Sequence, residues 1–184
     1  DTQDGPVLIE EGVTVNPHTR IQGPAVIGRK TTLFGGKIRE GTTIGPVCRV
    51  GGEVEESIVH AHSNKYHDGF LGHAYVCEWV NLGALTTNSD LKNDYGSVEV
   101  MLNGRLMDTG STKVGSFIGD HTKTSIGTLL NTGTIVGMMS NILGVGCLLP
   151  KSAPSFVMFM EGKFFKAGLK GLIETAKTAM GRRK

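Results

Sequence analysis

Four of the six histidines fall in one segment, His60-Ala-His62-Ser-Asn-Lys65-Tyr-His67-Asp68-Gly-Phe-Leu-Gly-His73. Imidazole changes charge near neutral pH, so a histidine here can take a proton from an attacking nucleophile. Neutral imidazole is also a zinc ligand, and His62, His67 and His73 are spaced such that metal binding must be weighed. Cations and amides flank the segment: Arg49 before it, Lys65 within it, Asn81 and Asn88 after it, and the pair His121 and Lys123 further on. Guanidinium, ammonium and amide groups hold phosphates and hydroxyls. Each has an ordinary alternative, because loop histidines are often satisfied by local hydrogen bonds and polar residues alternate on any exposed strand face.

The elements that must position these groups follow from a period of six. Aliphatic residues recur as Ile9, Val15, Ile21, Ile27 and Leu33, then, after a one-residue slip at Gly35-Gly36, as Ile38, Ile44 and Val50. A third run is Phe70, Val76 and Leu82, and a fourth is Thr112, Ile118, Thr124, Leu130, Val136, Ile142 and Leu148. Smaller residues keep step four places on, among them Ala25, Thr31, Thr42, Cys48, Ala74, Val80, Thr86, Ser116, Thr122, Thr128, Thr134 and Ser140. Six matches neither the helical 3.6 nor the two of a half-buried strand. It describes a short strand, a corner and another strand, with three sides closing a triangular coil of about 18 residues that stacks on its neighbours. The expected fold is an all-β parallel β-helix, a triangular prism with aliphatics inside.

Two stretches break the period, Glu53 to Gly69 and Asn88 to Ser111. In the second, apolar segments flank Asn103-Gly104, which predicts a projecting β-hairpin over about 88–111. After Pro154 the residues Phe165, Leu169, Leu172, Ile173, Ala176 and Met180 take helical spacing, predicting a C-terminal amphipathic helix that caps the solenoid or docks on a neighbouring subunit. The expected organisation is a prism over 1–154 and a helical extension over 155–184. Asp1 in place of an initiator Met reads as a fragment or processed form, so a further domain ahead of it is expected.

Composition agrees and narrows the partners. Twenty-seven glycines against 6% aromatics suit many tight corners rather than a core of large rings. A net charge of +2 gives no general attraction to nucleic acid. No apolar run approaches the ~18 residues of a membrane span, and no signal-peptide pattern opens the chain. The three cysteines, Cys48, Cys77 and Cys147, form no disulfide or metal pattern, so a reducing cytoplasm is expected. The basic terminus, Arg182, Arg183 and Lys184, reads as a solvated tail.

Lys65-x-His67-Asp68-Gly-Phe-Leu-Gly, Val80-Asn81-Leu-Gly-Ala84, Asn88-Ser-Asp90 and Phe117-Ile-Gly-Asp120-His121-x-Lys123-Thr124 resemble the hexapeptide-repeat acyltransferases. More closely, they resemble the acetyltransferase half of the bifunctional N-acetylglucosamine-1-phosphate uridyltransferases, in a variant sugar-nucleotidyltransferase-like branch. The likeness runs from Ile21 to Pro154. It implies a left-handed coil, against the usual crossover rule, and a homotrimer with sites between subunits. It also implies acetyl-CoA as co-substrate, an amino-sugar phosphate such as glucosamine 1-phosphate as acceptor, and a place in UDP-N-acetylglucosamine biosynthesis. The preceding domain would be a nucleotidyltransferase.

On that resemblance His67 falls at the catalytic base and Asn88 at the asparagine that binds sugar and orients the base. Arg49 falls at the sugar-phosphate arginine and Asn81 near the acceptor; Lys65 is a further acceptor contact by residue type alone, because the segment before it is shorter than in the bifunctional enzymes and their substrate-binding lysine has no place here. Ala84, His121 and Lys123 fall near the coenzyme. The family's Gly-Ala-Gly reads Gly83-Ala84-Leu85 here, and its tyrosine after the asparagine is Ser89. Two other readings stay open: a non-catalytic trimerisation or regulatory module of a nucleotidyltransferase, supported by Leu85, and a zinc carbonic-anhydrase-like enzyme using the His62–His67 pair and a third histidine. No metal is expected on the acyltransferase reading.

Overall fold

The computed structural model describes residues 1–144 and 146–183, a left-handed parallel β-helix with a hairpin arm and one C-terminal helix. Short strands meet at sharp corners and stack in parallel. One flank is a sheet of eight strands: Val7–Ile9, Ala25–Ile27, Thr42–Ile44, Ile58–Val59, Tyr75–Val76, Phe117–Ile118, Ile135–Val136 and Ser152–Ala153. On a second flank Arg49 lies opposite Asn64, Asn64 opposite Asn81, Asn81 opposite Lys123, and Lys123 opposite Asn141. The third aligns Arg20, Lys37, Glu53 and Phe70 across successive coils.

The core is the six-spaced set. Ile27, Leu33, Ile38, Ile44, Val50, Val76, Leu82, Ile118, Leu130, Val136 and Ile142 are buried in one cluster. Ile9 and Val15 belong to the first coil, which has a neighbour on one side only, and both are exposed. The small companion residues line the corners from inside. Their hydroxyls satisfy groups of the next coil: Thr31 Oγ1 donates to Gly45 O at 2.9 Å, Ser63 Oγ to Cys77 O at 2.8 Å, and Thr122 Oγ1 to Gly137 O at 2.9 Å. The Gly35-Gly36 slip is a bulge in the pairing between Phe34 and Lys37. Gly36 is required there, since a Cβ would stand 2.5 Å from Gly52 O.

The stretch from Glu53 to Gly69 is not an interruption, contrary to the sequence expectation. Val54 and Val59 are core residues, and Ile58–Val59 and Asn64–Lys65 pair within the stack. The pattern is hidden because Lys65 occupies the inward position. It is 3% exposed, and its Nζ donates to Gly51 O at 2.8 Å and His67 O at 3.2 Å. Leu71 rather than Phe70, and Leu149 rather than Leu148, fill the core at two further coils.

The real departure follows Asn88. Strands Glu99–Leu102 and Arg105–Asp108 pair antiparallel around Asn103-Gly104, both at positive φ (50° and 75°), as the hairpin signal predicts. The C-terminal helix spans Leu169–Gly181. It starts later than the apolar spacing predicts: Phe165 lies in Lys163–Lys166, which turns back at Glu161-Gly162 to pair with Val157–Met160. The last coil thus ends in a hairpin, and the helix lies along a flank instead of capping the end. No described helix is long and apolar enough to cross a membrane.

Candidate functional site

Alternation along each strand decides which side chains reach the surface. On the second flank Val50, Lys65, Leu82, Thr124 and Ile142 point inward, so Arg49, Asn64, Asn81, Lys123 and Asn141 form an outward ladder, one per coil. Rungs are about 4.8 Å apart. Asn64 Nδ2 donates to Asn81 Oδ1 at 2.8 Å, fixing both amides.

Corners bound the ladder on both sides. On one lie Tyr66 and His67, rings 4.7 Å apart and exposed. On the other, His62, Trp79 and His121 occupy equivalent corners of successive coils, all at positive φ. Their rings stack nearly parallel, His62 on Trp79 at 4.1 Å and Trp79 on His121 at 6.0 Å. The helix forms the third wall. Leu172 and Thr175 line a small pocket with His121, Met139 and Asn141, while Ala179, Arg182 and Arg183 line a larger one with Arg49 and Asn64. Thirteen residues make about 20 Å of helix, the rise of four coils. The cleft encloses about 650 Å³, lined by Arg49, Asn64, Tyr66, His67, Trp79, Asn81, Lys123, Ala179, Arg182 and Arg183.

Of the residues singled out in the sequence, the structure brings together Arg49, His67, Asn81 and Lys123. His121 lies outside that lining, at the stacked corner beside Trp79 and in a separate small pocket that it shares with Lys123, with burial, and then the Lys123 ammonium, holding its imidazole pKa down. Lys65, Asn88 and Ala84 lie elsewhere. Burial pulls Lys65 down to about 8, against the pull of Asp68 and Glu53. Asn88 is 2% exposed with both amide atoms engaged: Oδ1 accepts from Gly72 N at 2.9 Å and Nδ2 donates to Gly72 O at 2.8 Å. It ties two coils together where the chain leaves the prism. Ala84 sits on a turn outside the cleft, accepting through its carbonyl from Gly127 N. Leu85 occupies a corner at φ 60° and is 57% exposed.

Six lining residues escaped the sequence reading: Asn64, Tyr66, Trp79, Ala179, Arg182 and Arg183. Asn64 becomes predictable once Lys65 is placed inward, because the preceding residue must face out. No sequence signal shows that the helix folds back, which is what brings the two arginines in. The histidines suggested for zinc are employed separately. His62 stacks on Trp79, and His73 is held by Glu56 and Asp90, each at 2.7 Å. Among the described residues, no three His, Cys, Asp or Glu side chains are arranged to hold a metal ion within the chain.

Cations dominate the lining of the cleft, and the nearest acid, Glu174, lies in the adjoining pocket with Lys123 and Arg182. Burial lowers the pKa of Lys123, and the Arg183 guanidinium lowers it further. Burial also lowers that of Arg183, with Arg49 and Arg182 adding like-charge repulsion. No carboxylate lies among the lining residues.

No family model matches the chain. It is 31% identical over 149 residues to a bifunctional sugar-1-phosphate nucleotidylyltransferase/acetyltransferase of Sulfurisphaera tokodaii, covering 75% of this chain and 35% of that protein. It is 30% identical over 154 residues to the bifunctional protein GlmU of Acholeplasma laidlawii, covering 63% of this chain and 31% of that protein. The chain therefore spans about a third of the length of these curated relatives. A hexapeptide transferase family protein from Anaplasma phagocytophilum shares the fold, with a TM-score of 0.50 at 13% identity over 95% of this chain and 87% of that one. The chain is a hexapeptide-repeat β-helix resembling the C-terminal acetyltransferase part of bifunctional GlmU-type sugar-1-phosphate enzymes.

Proposed function

We propose that this chain is an acetyl-CoA-dependent N-acetyltransferase acting on an amino-sugar phosphate such as glucosamine 1-phosphate. The observation that carries this reading is the cleft itself, where an exposed imidazole, His67, stands beside a fixed amide pair and four cations with no acid between them. The two curated relatives favour the same chemistry, since one is named as an acetyltransferase of sugar-1-phosphate metabolism and the other as GlmU.

In the proposed reaction the acceptor amine attacks the thioester carbonyl of acetyl-CoA. His67 takes the proton that the nitrogen sheds, the new C–N bond forms, and the C–S bond breaks to release coenzyme A. Asn64 and Asn81 orient the sugar hydroxyls, and the cations hold phosphate. Lys65 contributes through its hydrogen bond to the His67 carbonyl, which steadies the turn carrying the base. The stacked His62–Trp79–His121 corner gives a flat wall for the coenzyme. A homotrimer in the cytoplasm, following a nucleotidyltransferase domain, completes the proposal.

The test is release of coenzyme A thiol from acetyl-CoA in the presence of glucosamine 1-phosphate, galactosamine 1-phosphate and the unphosphorylated amino sugars. Turnover with a phosphorylated acceptor supports the proposal. An assembled protein inert toward all of them overturns it in favour of a non-catalytic trimerisation module, the reading that the exposed Leu85 corner favours.

A further inference from the structure

We infer that the end of the C-terminal helix is an anion clamp, in which Arg182 and Arg183 close over Arg49 and Lys123 to hold a phosphate group inside the cleft. This deepens the acetyl-transfer reading by using the same cleft, but it rests on charge and burial that are present whatever the reaction.

Around Glu53 and Glu55 the clustered cations have acidic partners. Arg39 meets Glu55 at 2.6 Å and Glu40 at 3.0 Å, Lys37 meets Glu53 at 3.5 Å, and Lys113 meets Glu55 at 3.7 Å. The cleft gathers Arg49, Lys123, Arg182 and Arg183 without one acidic side chain in its lining. Arg183 Nη1 is buried and has no hydrogen-bond partner among the described residues. A buried guanidinium N–H left unpaired is costly, and repulsion from Arg49 and Arg182 adds to that cost. A phosphate oxygen removes both penalties, because it accepts the N–H and neutralises the cluster.

The helix is suited to such a role because its own packing is light. Ala176 is its single buried residue among those described, while Leu169, Ile173 and Met180 are exposed. Its final turn places Arg182 and Arg183 just past the last carbonyls, with Arg182 N bonded to Ala179 O and Arg183 N to Met180 O. The partial negative charge at a helix C-terminus favours cations there. A phosphate bound between this turn and the Arg49 coil would fasten the helix to the prism.

Two sources could supply the group, the acceptor's phosphate or those of the coenzyme, and the test separates them. Affinities of the full chain and of Arg182→Gln/Arg183→Gln are measured calorimetrically for inorganic phosphate, glucosamine 1-phosphate, glucosamine, coenzyme A and dephospho-coenzyme A. The expected result is that phosphate and glucosamine 1-phosphate bind, glucosamine does not, and the variant weakens the phosphorylated acceptor by at least about tenfold. Arg183→Lys should recover part of the loss, which a merely misfolded helix end would not do. If only coenzyme A weakens, the clamp stands with the coenzyme as its source. Unchanged affinities for every phosphorylated probe overturn it. Acetyl transfer with unchanged affinities retires the clamp alone, whereas arginine-dependent phosphate binding without transfer retires the acetyl-transfer reading alone.

Discussion

The cleft above Arg49 and Lys123 and the corner around His73 use similar residue types to opposite ends. At the corner the side chains are held by partners within the chain: His73 lies between Glu56 and Asp90, and Arg39 and Lys113 converge on Glu55. In the cleft a histidine and four cations face open space with no acid among them. Charges paired within the chain hold its coils in register, while charges left unpaired are available to a ligand. The contrast assigns stability to the corner and binding and chemistry to the cleft.

The sharpest break of that contrast is His67→Ala. With the imidazole gone, kcat for acetyl transfer should fall by about 10²–10⁴, while urea unfolding stays within about 0.5 kcal/mol because the side chain is exposed. Loss of stability with retained turnover would assign His67 to the structural group.

Next in size is the pH response of Lys65. Its ammonium titrates near 8 when folded, against the ordinary 10.5 of the unfolded chain. Between those values the unfolded chain holds a proton that the folded one has released, so folding stability rises with pH. Relative to Lys65→Met, the wild type should gain on the order of 3 kcal/mol from pH 8 to pH 10.5. Parallel urea titrations of the two proteins read this directly, and identical slopes against pH would refute it.

A smaller effect belongs to Asn88→Ala. Both hydrogen bonds to Gly72 disappear, leaving a buried N–H and C=O unsatisfied, at a cost of about 2 kcal/mol. Turnover of the folded fraction should survive, and its abolition would return Asn88 to the catalytic set. Asp90→Ala should cost about 1 kcal/mol in unfolding free energy without raising KM for the acceptor, since His73 keeps Glu56.

The period of six was enough to read the prism, the Gly35-Gly36 slip and the Asn103-Gly104 hairpin, because each is a local rule written in residue type. The coil through Val54, Val59 and Lys65 was illegible for a physical reason: a lysine can point into a solenoid when backbone carbonyls accept its protons, and hydrophobic patterning does not register that. The same blindness hid Asn64. Arg49, His67, Asn81 and Lys123 were legible as polar residues near a histidine-rich stretch, and they do line one cleft. Asn88 carries the same chemistry in its side chain but faces inward, a difference of one residue in strand phase. Arg182 and Arg183 read as a solvated tail because nothing local encodes where a helix folds back. Lys184, part of that reading, lies outside the described residues.

The most direct test of the cleft as the reaction site is a crystal structure of the protein with glucosamine 1-phosphate. The account predicts the phosphate between Arg49 and Arg183 and the amine turned toward His67, within about 3 Å or one bridging water. Ligand bound instead at the Leu85 corner or beside Glu53 and Phe70, with the cleft holding only solvent, would contradict it.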